Sequence, residues 1–230
     1  MLILLVVVVV FCIVFPSLWV KHIIKKYAVE DESIPGTGGE LARHLIERFQ
    51  LTGVVVERAA PDQDHYDPAA RAVRLSPAIY DGKSLSAVAI AAHEVGHAIQ
   101  YHRDEQITRL RQKYTSAAIS LERFAVAVLI SIPLVTALLR VPQAAMFTGA
   151  IGVTMMLIAA FMQLLVLPME WDASFNKALP VLRDGAYVTA EQEFAVRRIL
   201  RAAALTYAAG ALANMLRLWR WIAILKGVIR

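Results

Sequence analysis

Long runs without charge decide where this chain can fold. Residues 1–20 and 141–169 carry no charged side chain, and residues 117–139 carry only Glu122 and Arg123 near their start. A helix crosses the hydrocarbon core of a bilayer in about 20 apolar residues, so each of the three blocks can span it. A fourth uncharged block, residues 202–216, is shorter and reads as a tilted span, a partly buried helix or an interfacial one. With 58% of residues hydrophobic and 19% charged, the chain is too apolar for an ordinary soluble domain. The expected fold is a mainly α membrane protein with three to four transmembrane helices.

Residues 1–20 lack a basic start and are followed by Lys21, Lys25 and Lys26 rather than a small-residue cleavage site, so they read as an uncleaved anchor. Basic residues beside a span stay in the cytoplasm. These lysines, with Arg103, Arg109, Arg111 and Lys113 before the second block, place residues 21–115 inside. A turn at Arg140 and Pro142 makes residues 116–168 a hairpin, which returns the chain to the same side near Glu170. Four parts follow: an anchor (1–20), a cytoplasmic unit (21–115), the hairpin (116–168) and a helical C-terminal region (169–230) that carries a further membrane-associated helix. The expected location is the inner (plasma) membrane, crossed several times. A net charge of +5 is absorbed by this topology and by anionic lipid, which leaves no need for nucleic acid as a partner. The only cysteine, Cys12, lies in the first block, so neither an intramolecular disulfide nor a thiolate metal site is expected.

Chemistry enters at His93-Glu94-Val95-Gly96-His97. On a helix, histidines four apart share a face and form a ready zinc chelate, while the carboxylate after the first can take a proton from a water at the metal. Residues 84–101 suit such a helix: Ser84 is a cap candidate, an Ala-rich run follows, and no proline interrupts it. A solvated His/Glu face is the plainer alternative. Residues 87–92 are uniformly apolar, however, and would bury the helix that shows the two histidines.

Around the motif, Thr37 and Glu40 have capping-box spacing and open an amphipathic helix over residues 37–50. Residues 54–57 and 72–75 read as short strands, separated by a polar loop over 61–68. Pro77 and Asp81-Gly82 mark a turn into the motif helix. The spacing predicts a helix–strand–strand–helix unit. Residues 72–75 would either offer an exposed edge for an extended peptide or be an ordinary paired edge strand.

A catalytic zinc needs a third protein ligand and an open position. His102, five residues after His97, lies about 140° round the helix, and Gln100 and Arg103 break the longer H-E-x-x-H-x-x-G-x-x-H pattern. Glu105 follows the motif too closely and Glu122 sits at a membrane helix. Glu170, just past the hairpin and after Pro168, is the best candidate; Glu191 and Glu193 are weaker, because they read as the acids of a helix start. Tyr207, seven residues before Asn214 on an apolar helix, is a candidate donor to the developing oxyanion; the alternative is a tyrosine with its hydroxyl satisfied in the bundle or at the lipid interface. His65 is a second candidate donor, while His22 and His44 read as surface residues.

The chain resembles the bacterial membrane-embedded neutral zinc metallopeptidases of the YugP-like kind, and more distantly the HtpX-type and CAAX prenyl-type membrane gluzincins. H-E-V-G-H at 93–97 followed by P-M-E-W-D-A-S at 168–174 carries the resemblance, with D-H-Y-D-P at 64–68, S-P-A-I-Y-D-G at 76–82 and L-T-Y-A-A-G-A-L at 205–212. It implies a zincin-like α+β unit and a zinc-dependent endopeptidase with His93, His97 and Glu170 as ligands and Glu94 as general base. One position departs: gluzincins often place an Asp that orients a ligand histidine four residues after the ligand Glu, and here that position is Ser174, with Asp172 two residues nearer. The expected activity is metal-dependent hydrolysis of membrane-associated polypeptides from a site facing the cytoplasm. The alternative is a zinc-binding assembly or quality-control factor without proteolysis. A homo-oligomer and a partner membrane protein both stay open.

Overall fold

The computed structural model describes residue 15, residues 18–139 and residues 142–205. Most of the first uncharged block, the Arg140 turn, and Tyr207 and Asn214 with the rest of the fourth block lie outside these residues. Among the described residues, 18–109 and 168–205 belong to one compact unit and 110–139 and 142–167 to another.

The larger unit is organised by one helix. Helix α1 (residues 18–26) is followed by α2 (Gly38–Arg48), strands β1 (Val55–Arg58), β2 (His65–Asp67) and β3 (Ala72–Leu75), the short α3 (Pro77–Tyr80) and α4 (Leu85–His102). After the smaller unit the chain returns as α8 (Leu167–Trp171), a π-helix (Asp172–Ala178), α9 (Leu179–Asp184) and α10 (residues 190–205). Every residue of α4 from Ser86 to Gln100 is buried, as expected of a helix apolar on all sides. Its start is fixed locally: Ser84 Oγ accepts from the Ala87 N–H, the Ser86 hydroxyl donates to Ile24 O at 2.7 Å, and the Ser86 N–H donates to Tyr27 O at 3.0 Å, tying α4 to the end of α1. Helix α2 begins with the capping box expected of Thr37 and Glu40. Buried Leu45, Leu75, Val95, Leu182, Ile199 and Leu200 belong to one continuous core around α4.

The sheet differs from the expected pair of strands. Its order is β1-β3-β2, with β3 parallel to β1 and antiparallel to β2. Residues 72–75 are therefore the central strand and offer no edge; the edge beside them is β2, which lies inside the polar segment expected to be a loop. Three residues long and flanked by acids and prolines, β2 shows no apolar alternation of its own. It is held by its neighbours: Tyr66 is buried and tilts against Tyr101 of α4, with ring centroids 5.5 Å apart, and Arg74 of β3 pairs with Asp67 on one side and Glu57 on the other.

In the smaller unit, α5 (Gln106–Ile130, which begins in the larger unit) is followed by α6 (Ile132–Leu139) and α7 (Pro142–Leu164). The block expected to be one straight span is broken at Ser131, where α5 and α6 meet at 41°. Pro133 accounts for the break, since it lacks an N–H and its ring presses on the preceding turn. Ala125, Leu129, Ile132 and Met156 form a small core, while Leu134, Leu138, Met146, Phe147 and Phe161 are more than half exposed. Such an exposed apolar surface suits lipid rather than water. The helical run Met146–Asp184 is the one among the described residues that is long and apolar enough to cross a membrane; the bent pair α5–α6 would be a second if it is one span. Three to four spans are thus more than the described residues show.

Candidate metal centre

His93 and His97 lie one helical turn apart in the middle of α4, with ring centroids 4.6 Å apart, and both are buried. Facing them is Glu170, fully buried in α8, whose Oε2 stands 3.3 Å from His93 Nε2 and 3.2 Å from His97 Nε2. Among the described residues this is the group of three whose donor atoms converge closely enough to hold a metal ion.

Close approach of the two elements depends on Gly96. A Cβ there would stand 2.8 Å from the carbonyl oxygen of Ala173 in the π-helix, so the smallest side chain is required for α4 and the Glu170 segment to meet. The π-helix has a local cause as well. Pro180 has no N–H and its ring would crowd the carbonyl of Asn176; the turn widens, and the Leu179 N–H reaches back five residues to Ser174 O.

A hydrogen-bond network places a proton on Nδ1 of His97. The Gln100 amide donates to Met169 O at 3.1 Å and to Asp172 Oδ2 at 2.7 Å, so its oxygen is the atom 2.9 Å from His97 Nδ1, and that nitrogen must be the donor. Ser174 Oγ lies 3.1 Å from His93 Nδ1 and 3.5 Å from Leu200 O, so it can accept from Nδ1 while its hydroxyl faces the carbonyl. In the neutral imidazoles that a metal requires, Nε2 is then the lone pair that faces the Glu170 carboxylate oxygen. Acceptors at such separations repel unless a proton or a metal cation lies between them. Four ligands about 2.0–2.1 Å from zinc at tetrahedral angles stand about 3.3–3.4 Å apart, which the observed separations of 3.2 and 3.3 Å match. The donor set, two imidazoles and a carboxylate, is also one that zinc accepts with a fourth position left open.

Glu94, next to His93, is buried in the same helix. Burial pushes its carboxyl up to about 7, with help from the Glu170 and Asp64 carboxylates, while His93 and the Tyr66 backbone N–H pull the other way. Asp64 is itself raised by burial, though it accepts from the Ser76 N–H at 2.7 Å and the Ser76 hydroxyl at 3.1 Å.

The other sequence candidates lie elsewhere. Glu193 pairs with Arg197 on α10, Glu191 is exposed beside the Thr189–Gln192 capping pair, and Glu105 pairs with Lys177. His65, on β2, engages Gln63 O through Nδ1, and His22 and His44 are exposed. Tyr207 lies outside the described residues. Sequence reasoning missed Gln100, whose position three residues after His97 puts it on the same helical face and is the signal that could have found it. It also read Ser174 only as a departure, whereas its hydroxyl takes the His93 bond that an Asp would have taken.

No solved structure matches the chain. It is 34% identical over 206 residues to a Bacillus subtilis (strain 168) protein called "Putative membrane protease YugP", an alignment covering 89% of this chain and 88% of that one. Residues 1–226 match the family described as "Putative neutral zinc metallopeptidase". A match from end to end, and a buried His93–His97–Glu170 group able to hold the metal, agree on zinc as the cofactor: the chain belongs to the neutral zinc metallopeptidase family.

Proposed function

We propose that the chain is a membrane zinc endopeptidase in which His93, His97 and Glu170 are the metal ligands and Glu94 is the general base. The observation that carries this reading is the convergence of His93 Nε2 and His97 Nε2 on the buried Glu170 Oε2 at 3.3 and 3.2 Å, the tetrahedral-edge distance of a zinc site. When bound, zinc supplies Lewis acidity, lowering the pKa of a water and polarising the scissile carbonyl. Glu94 takes the proton of the attacking water and returns it to the leaving amine. Its buried setting keeps competing solvent away. Tyr207 is the proposed donor to the oxyanion.

The same proposal sets residues 1–20 as an anchor, 21–115 with 169–230 as the parts bearing the site, and 116–168 as a membrane hairpin. The lysines at 21, 25 and 26 orient the site to the cytoplasm, and the substrates are polypeptides at or in the membrane. The exposed apolar side chains of the smaller unit, and the name membrane protease carried by the Bacillus relative, support a place in the membrane.

Purified protein should bind about one zinc per chain and cleave casein in a chelator-sensitive manner. Glu170→Ala should lose zinc and activity together, Glu170→Gln nearly as fully, and Glu191→Ala and Glu193→Ala should keep both. Full zinc content in Glu170→Ala would overturn the ligand set. Zinc bound without any metal-dependent cleavage would instead favour an assembly factor.

A further inference from the structure

Beyond its ligands, the centre has a second tier of contacts made by residues that no motif identifies. Gln100 is fully buried on α4, one turn beyond His97, and each polar atom of its amide has a partner in the structure. Its oxygen accepts from His97 Nδ1, and its nitrogen donates to Met169 O and Asp172 Oδ2. Asp172 cannot swing away, because Asn176 Nδ2 donates to its other oxygen at 2.8 Å and Lys177 Nζ donates to Oδ2. Lys177 is held in turn by Glu105, at 3.0 Å, in the segment that follows α4.

The polarity of this chain of bonds runs one way. Lysine can only donate and an ionised carboxylate can only accept, so Asp172 requires the NH2 of Gln100 to face it. That turns the Gln100 oxygen toward His97 and forces the proton onto Nδ1, which leaves Nε2 as a lone pair aimed at Glu170 Oε2. An imidazole in the opposite tautomer would present an N–H where a ligand lone pair is needed. We propose that Gln100, oriented by Asp172 and Lys177, is the positioning residue that fixes the His97 tautomer and thereby sets zinc affinity. The proposal rests on the ligand reading given above. It assigns work to a glutamine and a lysine that lie outside H-E-x-x-H and do not touch the reacting atoms.

The test combines zinc affinity, measured by competition with a chromophoric chelator, and the 15N shifts of the His97 ring nitrogens in metal-free protein. Gln100→Met fills the same volume without polar atoms. It should weaken zinc binding about 10- to 100-fold and convert His97 from a single Nδ1–H tautomer to a mixture, since loss of such supporting bonds typically costs metal sites that much. The double change Gln100→Glu with Asp172→Asn keeps an acceptor on His97 Nδ1 and a donor–acceptor contact between positions 100 and 172, although it sets the new carboxylate against Met169 O and the new amide nitrogen against Lys177 Nζ; it should keep the single Nδ1–H tautomer and recover part of the affinity lost in Gln100→Met. Lys177→Met should give a smaller loss in the same direction. Thermal midpoints of the metal-free variants identify any that fail to fold, in which case the double variant and Lys177→Met decide. Wild-type affinity and a single tautomer in Gln100→Met, or in both remaining variants no pattern of rescue and partial loss, would overturn the proposal. If wild-type protein binds zinc but Glu170→Ala does so equally well, the ligand reading has failed instead, whatever the Gln100 variants do.

Discussion

Gly96→Ala sets two effects of opposite sign against each other. Alanine is the better helix former by about 0.8–1.0 kcal/mol, so on an isolated helix the substitution would stabilise. In α4 the new Cβ would stand 2.8 Å from Ala173 O and 3.5 Å from the Ala173 carbonyl carbon and Cα. Carbon and oxygen ordinarily approach no closer than about 3.3 Å, so the π-helix must retreat by about 0.5 Å. Overpacking of this kind costs about 1–3 kcal/mol, which after the gain in propensity leaves a net loss of up to about 2 kcal/mol. The heavier effect falls on the metal. Glu170 lies three residues before Ala173 in the same helical segment, and a shift of about 0.5 Å exceeds the roughly 0.2 Å within which ligand distances must stay. Zinc affinity should fall at least about tenfold by chelator competition, with a drop of several degrees in the thermal midpoint of the metal-free protein. A variant with wild-type affinity and an unchanged or raised midpoint would refute the claim that this backbone contact sets the ligand spacing.

Glu94→Gln should retain zinc while turnover falls by about 10²- to 10⁴-fold, because it removes a base and no ligand; substantial residual peptidase activity would exclude Glu94 from that role. Reporters fused after Lys26 and after Asp184 should both register cytoplasm, as an even number of crossings separates them, and opposite signals would break the hairpin. Tyr207→Phe should lower kcat with zinc content unchanged, and wild-type kcat in that variant would remove the tyrosine from oxyanion stabilisation.

Local chemistry was the most legible part of the sequence. The Ser84 cap and the Thr37–Glu40 capping box form bonds within three residues, so their spacing is enough to place α4 and α2. The two histidines follow from helical periodicity alone. Glu170 is different in kind: it meets His97 across 73 positions of sequence, and only the order of membrane blocks and the elimination of other acids pointed to it. What local pattern could not supply was anything set by a neighbour. Strand β2 exists because β3 pairs with it and Tyr66 finds Tyr101, not because its three residues prefer to be extended. Gln100 was passed over because it spoils a longer zinc motif, and its use became visible only when Asp172 and His97 appeared on either side of its amide.

The order of the proposed ligands along the chain also governs when the centre can exist. His93 and His97 are translated first; Glu170 follows His97 by 73 positions, an interval that contains the whole of α5, α6 and α7. At synthesis rates of about 5–20 residues per second, the pair waits roughly 4–15 s for its carboxylate. During that interval a ribosome-bound chain has a two-nitrogen chelate with weak hold on zinc and no complete hydrolytic centre. On the proposed ligand set, tight metal capture falls after the apolar segments have been made, and the hydrolytic centre is incomplete until then.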